Sequence, residues 1–427
     1  MDIKITPGAL SGKVSAIPSK SQAHRALICA ALADIPTHIK CEGTSRDIEA
    51  TAACLTALGA DIRSEASGCA VRPRGSDNRD LPLHCGESGS TFRFLLPVAG
   101  ALGRKTEFRL EGRLSERPLS PLYEELVRFG CTLSPRGSNP FFIEGQLMPG
   151  SFSLEASVSS QFISGLLFAL PLLGADSEIH MTGRIESLPY IELTVLMLEK
   201  FGIKTILNDN VFSVPGGQLY RSPRHVAVEG DWSNAAFWLA AGALDGEGIT
   251  CTGLDIQSRQ GDRAIVELLT RFGATVIQGS SAVTVSGGGS SAGSGVGSTG
   301  GQLKGIDIDA RDIPDLVPIL SVVATAAEGT TRIYNAGRLR GKESDRLATV
   351  TDMLGKLGAD VSESEDGLII NGGGMLKGGV VSSWGDHRIV MSAAIAAILC
   401  TEPVVITGAE AVNKSYPGFF AVRKKLV

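Results

Sequence analysis

A short phrase returns along the chain at a nearly constant interval. An amphipathic helical pattern ends in Leu-Gly or Phe-Gly and gives way to a strand, at Leu58-Gly59, Phe129-Gly130, Phe201-Gly202, Phe272-Gly273 and Leu357-Gly358. The glycines lie 71, 72, 71 and 85 residues apart, each where a helix C-terminus calls for a left-handed residue. The longer last interval has a source in Ser286 to Gly301, a Gly/Ser-rich stretch expected to form a flexible surface loop. A sixth copy opens at Val405-Ile406-Thr407-Gly408 and runs into Phe419 to Val427. So regular a period predicts about six similar units. A chain of 427 residues is too long for one core, and six units of this size group into two lobes of three.

Each unit carries a second helical run that is apolar on nearly every side and is therefore buried. These runs begin at Ser19, Glu87, Ser159, Asp231, Asp312 and Asp386; Phe162 to Leu170 and Ile389 to Leu399 are examples. Strands such as Val14-Ser15-Ala16-Ile17 and Ser151-Phe152-Ser153-Leu154 alternate polar and apolar residues, as half-buried strands do. The predicted class is an α+β repeat, each unit having one inner and one outer helix. Inner helices packed in parallel would aim their positive ends one way, and facing lobes would form a cleft suited to a highly anionic small molecule.

Net charge is −5, which gives no general attraction to nucleic acid or to an anionic membrane, so anion binding must be local. None of the eight cysteines forms a C-x-x-C pair. They read as reduced thiols of a cytosolic protein, with neither a zinc site nor a disulfide frame. Met1 to Leu10 has no signal or transit pattern, and no uncharged apolar run is long enough to span a bilayer.

The inner runs open on polar knots. In Pro18-Ser19-Lys20-Ser21-Gln22-Ala23-His24-Arg25, Ser19 or Ser21 can cap a helix, while Lys20 and Arg25 add cations where the helix dipole favours an anion. In Gly86-Glu87-Ser88-Gly89-Ser90-Thr91-Phe92-Arg93 the glycines allow backbone N–H groups to approach an oxyanion, or serve only a helix cap. Arg113-Leu114-Ser115-Glu116-Arg117-Pro118 offers two arginines, as phosphate and carboxylate forks or as solvated surface groups. Ser157 to Gln161 reads as a capping run that also supplies neutral donors.

Arg338 to Arg346 is the densest charge block. On a helix start, Lys342 and Arg346 would share a face with Glu343 beside them. In Trp384-Gly385-Asp386-His387-Arg388, His387 beside an acid suits a structural hydrogen bond, whereas Arg388 at the mouth of an apolar helix needs a partner. Asp315, in Ile313-Pro314-Asp315, is either an N-cap or a general base near bound anions.

These stretches, in their order and spacing over essentially the whole chain, make the sequence resemble the 5-enolpyruvylshikimate-3-phosphate synthase family of enolpyruvyl transferases. The resemblance implies a two-lobed, inside-out α/β barrel of six βαβαββ units with buried parallel helices. One lobe would comprise residues 1–19 and 230–427, with Asp315 and Glu343; the other, residues 20–229, with the shikimate 3-phosphate site. The active site would lie in the cleft. The implied reaction adds the 5-hydroxyl of shikimate 3-phosphate to C2 of phosphoenolpyruvate, protonates C3, and then expels phosphate, in the route to chorismate and the aromatic amino acids.

By the same resemblance, phosphoenolpyruvate would meet Lys20, the Gly89 backbone, Arg113, Gln161, Arg346, Arg388 and Lys414. Shikimate 3-phosphate would meet Lys20, Ser21, Arg25, Ser159, Ser160, Gln161, Ser187, Asp315 and Lys342, with Tyr190 nearby; Asn335 matches a family substrate asparagine once three extra residues before Lys342 are allowed. Lys20, Asp315, Glu343 and Lys414 would share the proton transfers. No metal or cofactor is implied, no nucleic-acid or membrane partner, and a cytoplasmic monomer is expected. The sister transferase acting on UDP-N-acetylglucosamine relies on a loop cysteine, for which Cys131, in a repeat turn, is a poor match. A non-catalytic repeat scaffold would spread its charges over an outer surface, whereas here they gather at inner-helix starts.

Overall fold

The computed structural model describes residues 1–73, 75, 81–244, 247–287 and 302–427. Of the loop expected over Ser286 to Gly301, Ser286 instead ends the strand Ala282–Ser286, and residues 288–301 lie outside the described residues. The chain forms two compact units: unit 1 is Met1–Ile17 with Glu229–Val427, and unit 2 is Pro18–Val228. Each has its own apolar core.

Twelve α-helices are described. The inner helices are α1 (Lys20–Leu32), α3 (Gly89–Ala101), α5 (Ser160–Ala169), α7 (Trp232–Leu244), α9 (Val317–Ala326) and α11 (His387–Ala396). The outer ones are α2 (Arg46–Ala57), α4 (Leu122–Arg128), α6 (Leu188–Lys200), α8 (Ile265–Phe272), α10 (Arg346–Lys356) and α12 (Phe419–Leu426). All ten residues of α11 are buried, as its all-round apolar pattern requires. The five Leu/Phe-Gly glycines, Gly59, Gly130, Gly202, Gly273 and Gly358, all have positive φ and end the outer helices α2, α4, α6, α8 and α10.

One strand pattern is repeated. In the second repeat, Leu83–Gly86 runs parallel to Thr106–Leu110, which pairs antiparallel with Phe141–Glu144, which pairs antiparallel with Thr132–Leu133. Four other four-stranded sheets have the same order, and the sixth sheet has three strands. Two repeats borrow their first strand from far away. His225–Ala227, at the end of unit 2, lies parallel to Thr37–Lys40 in its first repeat. Gly12–Ser15 lies parallel to Ile249–Thr252, so unit 2 is inserted between a strand of unit 1 and the helix that follows it. Ile3–Ile5 closes the last repeat against Val404–Thr407. These exchanges tie both chain crossovers into sheets.

Two inner runs start later than their sequence suggests. Ser88, not Glu87, caps α3, accepting the Thr91 N–H, because Gly86 turns the chain at positive φ just before it. The run expected from Asp312 begins with a 3-10 turn, Pro314–Leu316, and becomes α-helical only at Val317, since Pro314 and Pro318 suit a first turn better than a helix interior.

In unit 2, α3 and α5 pack backbone to backbone. A Cβ on Gly165 would lie 2.4 Å from the Arg93 carbonyl oxygen. Gly165→Ala should therefore force the helices apart and cost about 1–3 kcal/mol. Chemical denaturation checks this, and an unchanged midpoint would contradict the packing.

Candidate active site

In unit 2 the starts of three inner helices are wired into the framework. Ser19 caps α1 by accepting the Gln22 N–H. Lys20 Nζ sits 2.8 Å from Asp47 Oδ2, an acid in the first turn of α2. Arg25 is buried: its Nε donates to Thr194 Oγ1 at 2.8 Å, Nη1 to the Ser21 carbonyl at 2.6 Å and Nη2 to the Tyr190 carbonyl at 2.7 Å. Burial lowers Arg25 to about 10, which leaves it charged at neutrality. Burial likewise pushes His24 down to about 3, so this histidine is neutral; it shares a 2.6 Å hydrogen bond with Thr51, which meets Thr91 of α3 at 2.6 Å.

Arg93 joins α3 to α5, a role the sequence reading missed. Its Nη1 donates to Gln161 Oε1 at 2.8 Å and its Nη2 to the Pro118 carbonyl at 2.7 Å. The Gln161 amide in turn donates to Ser90 Oγ at 3.0 Å. Ser159 caps α5 by accepting the Gln161 N–H, and Ser160 follows it, buried. A Cβ on Gly89 would stand 2.8 Å from Arg117 Nη1, so the glycine makes room for a guanidinium. Arg113 is half exposed and reaches Glu116 at 3.4 Å. Ser187, buried before α6, adopts a left-handed backbone at φ 56°, a conformation that costs energy outside glycine.

In unit 1 a single buried guanidinium gathers three carboxylates. Arg346 Nη1 donates to Asp315 Oδ1 at 2.7 Å, Nη2 to Glu343 Oε2 at 2.9 Å and Nε to Asp386 Oδ2 at 2.8 Å. Arg388 Nη2 lies 2.9 Å from Asp315 Oδ2, and Lys414 Nζ 3.3 Å from Glu343 Oε1. Asp386 also caps α11, accepting the Arg388 N–H at 2.9 Å. Burial opposes the charge on Asp315, but Arg388, Arg346 and Lys342 outweigh it and hold the carboxyl well below its usual range. The same contest, won by Arg346, lowers Asp386. Burial drives the Lys342 ammonium down to about 7, against the pull of Asp315.

Two sequence expectations change here. Lys342 is not on a helix: it follows the 3-10 turn Gly337–Gly341 with an extended backbone, and α10 begins at Arg346 with Asp345 as its cap. Asp345 takes the cap because its side chain can accept the Ala348 N–H. Asp315 is not an N-cap either. The residue before α9 is Leu316, with no side-chain cap, and both Asp315 oxygens go to guanidinium groups. Asn335, left-handed at φ 58°, bonds to Asp309 and Asp366 at the end of its strand.

Unit 1 thus brings Asp315, Lys342, Glu343, Arg346, Arg388 and Lys414 together; unit 2 joins Gln161 to Arg93 and anchors Lys20 and Arg25. Asp386, visible beside Arg388 in the sequence, was missed as the cluster's third acid. Asp262 was missed too: it is fully buried, accepts from Ser233 Oγ, and is pushed up to about 7 by burial and then by Asp315. No periodicity marks it. Among the described residues, no helix is long and apolar enough to cross a membrane.

Buried arginines at the starts of inner helices, Arg25 in α1, Arg93 in α3 and Arg388 in α11, define a repeat protein that gathers cations at its helix N-termini. The pattern that describes EPSP synthase (3-phosphoshikimate 1-carboxyvinyltransferase) matches residues 5–422. The 3-phosphoshikimate 1-carboxyvinyltransferase of Clostridium kluyveri is 44% identical over 421 residues, covering 98% of this chain and 95% of its own. That of Clostridium acetobutylicum is 44% identical over 432 residues, covering 99% and 97%. The solved EPSP synthase from Acinetobacter baumannii has a TM-score of 0.81 at 27% identity, covering 100% of this chain and 98% of that one. The chain belongs to the EPSP synthase family.

Removing Arg346 would take a shared buried cation from three carboxylates, leaving Asp315 to Arg388 and Glu343 to Lys414. Arg346→Met should cost about 3–5 kcal/mol at pH 7. Asp315 and Asp386 have lowered folded pKa values. Their stabilisation is therefore present above the unfolded value of about 4 and lost as pH falls through the folded ones. The gap between wild type and variant should narrow as pH is taken below about 4. Denaturation at several pH values checks this; a gap that does not change with pH would contradict it.

Proposed function

We infer that the chain transfers the enolpyruvyl group of phosphoenolpyruvate to the 5-hydroxyl of shikimate 3-phosphate and releases phosphate, a step in aromatic amino acid biosynthesis. The observation that carries the reading is the Arg346 cluster, in which Lys342-Glu343-Ser344-Asp345-Arg346 and Asp386-His387-Arg388 fold onto one another in a chain that matches the family over nearly its whole length.

In this reading Arg113, Arg346, Arg388 and Lys414 receive the carboxylate and phosphate of phosphoenolpyruvate, together with Lys20, Gln161 and the Gly89 backbone. Lys342, Arg25, Ser21, Ser159, Ser160, Ser187 and Asp315 receive shikimate 3-phosphate, with Lys20 and Gln161 serving both substrates. Holding two anions in reactive contact is costly in water. Fixed cations in a dry site offset that repulsion without reorganising.

The reaction needs a proton removed from the hydroxyl, one delivered to C3 to make a methyl group, and one later withdrawn from that methyl as phosphate leaves. Asp315 is held ionised, so it can accept a hydrogen bond from the hydroxyl at any working pH. Glu343 and Lys414, 3.3 Å apart, form an acid–base couple able to give a proton to C3 and take it back. Lys20, paired with Asp47, supplies a further donor. Eight free cysteines support a reducing, cytoplasmic setting.

Burial pushes the Cys131 thiol up to about 11, which disfavours a reactive loop cysteine of the kind the UDP-sugar transferases use. Phosphate release should therefore require shikimate 3-phosphate with phosphoenolpyruvate, and UDP-N-acetylglucosamine should give none; the reverse preference would refute the reading. Glu343→Gln should slow single-turnover formation of product by about 10²–10⁴-fold, and an unchanged rate would remove Glu343 from the proton transfers.

A further inference from the structure

The side-chain amide of Gln161 is clamped between two residues of α3. Ser90 and Arg93 stand three apart in the first two turns of that helix and so share a face. Arg93 Nη1 donates to Gln161 Oε1 at 2.8 Å, and Gln161 Nε2 donates to Ser90 Oγ at 3.0 Å. The helices come close enough for this because the Arg93 carbonyl lies against Gly165, which is one turn along α5 from Gln161 and on the same face. Arg93 is itself pinned. It is buried, its Nη2 donates to the Pro118 carbonyl at 2.7 Å, and its guanidinium carbon lies 5.4 Å from the centre of the Phe162 ring.

A guanidinium has donors only, whereas a primary amide has a donor end and an acceptor end. The end of Gln161 that meets Arg93 must therefore be the oxygen. Turning the amide over would set N–H against N–H and break a charge-assisted hydrogen bond. The nitrogen is then the end that faces away from Arg93. One of its N–H groups goes to Ser90, and the other has no acceptor among the described residues. Gln161 is half-buried at the start of α5, so a ligand arriving there meets that N–H.

We propose that Arg93 is a positioning residue for substrate binding: by holding the Gln161 carbonyl toward itself, it makes an N–H the group that Gln161 gives to a phosphorylated substrate. This rests on the reading that Gln161 receives shikimate 3-phosphate and phosphoenolpyruvate. Both carry anionic oxygens, which accept hydrogen bonds and repel a carbonyl oxygen. An amide free to turn would be oxygen-outward part of the time and would have to be ordered on binding. Arg93 touches no substrate in this scheme, and its effect on affinity passes through Gln161.

The test is a double-mutant cycle on the full chain: wild type, Arg93→Met, Gln161→Ala and the two together. Kd for shikimate 3-phosphate is measured by titration calorimetry. Gln161→Ala should weaken binding by about 10–100-fold, the effect of losing a hydrogen bond to a charged group. Arg93→Met should weaken it by about tenfold with Gln161 intact and by less than about twofold on top of Gln161→Ala. KM for phosphoenolpyruvate should follow the same pattern. A merely structural Arg93 would lower affinity equally in both backgrounds, so additive losses would overturn the proposal, as would an unchanged Kd in Arg93→Met alone. Wild-type affinity for both substrates in Gln161→Ala would instead overturn the reading of Gln161 as a contact, and the proposal with it.

Gln161→Glu tests the polarity directly. Its carboxylate keeps the Arg93 contact but offers oxygen in place of the N–H, so affinity should fall at least as far as in Gln161→Ala; wild-type affinity would overturn the proposal. Should Arg93→Met not fold, Arg93→Lys takes its place in the cycle. An ammonium cannot serve Gln161 and Pro118 as a fork does, so a loss of about threefold is expected, again only with Gln161 present. A loss of equal size in both backgrounds would overturn the proposal.

Discussion

The guanidinium of Arg346 holds unit 1 in its working form. It is buried, and three acids from different parts of the chain close on it: Asp315 before α9, Glu343 before α10 and Asp386 at the cap of α11. Burying any of these charges alone would cost several kcal/mol, about as much as a small domain can spare. Together they satisfy one another, and Ser344 adds a hydrogen bond of 3.1 Å to Asp386. The starts of three helices are thereby fixed relative to one another. The arrangement that makes the unit fold also fixes Arg388 against Asp315 and Lys414 against Glu343.

Unit 2 meets the same need with mostly neutral groups. Ser88, Thr91, Thr51 and the neutral His24 form a chain of hydroxyl and imidazole contacts linking α1, α2 and α3. Arg93, Gln161 and Ser90 tie α3 to α5. Arg25 also rests on the Phe94 ring, its guanidinium carbon 5.0 Å from the ring centre. One repeat topology is thus finished by an ion cluster in one unit and by a hydroxyl and amide network in the other. The shared feature is a polar knot at the start of each buried helix, where the backbone N–H groups already favour negative charge.

The repeat was legible because it depends on local chemistry. A helix that ends on a left-handed glycine must show that glycine, and each of the five marked positions has the expected backbone. All-round apolar runs likewise declared themselves as buried helices. Strand exchange was not legible. Nothing within Gly12–Ser15 or His225–Ala227 says that each pairs with a strand beyond its neighbours, since alternation fixes a strand's faces and not its partner. Asp315 left two readings open because an acid before a helix looks the same as a cap and as a salt-bridge partner. The arginines that decide it lie 31 and 73 residues further on. Gly89 was legible as a close approach, but of an arginine side chain as well as of any ligand. Asp262 was invisible because its environment comes from distant segments.

Hydrogen exchange with and without shikimate 3-phosphate and phosphoenolpyruvate tests the central claim most directly, that phosphorylated substrates are held at the starts of the inner helices. Added together, the two ligands should slow exchange in the first turns of α1, α3, α5, α7, α9 and α11 and in the Lys342–Arg346 segment, while the solvent faces of α4 and α8 stay unchanged. Protection confined to the outer helices or to sheet edges, with the inner-helix starts unaffected, would contradict it.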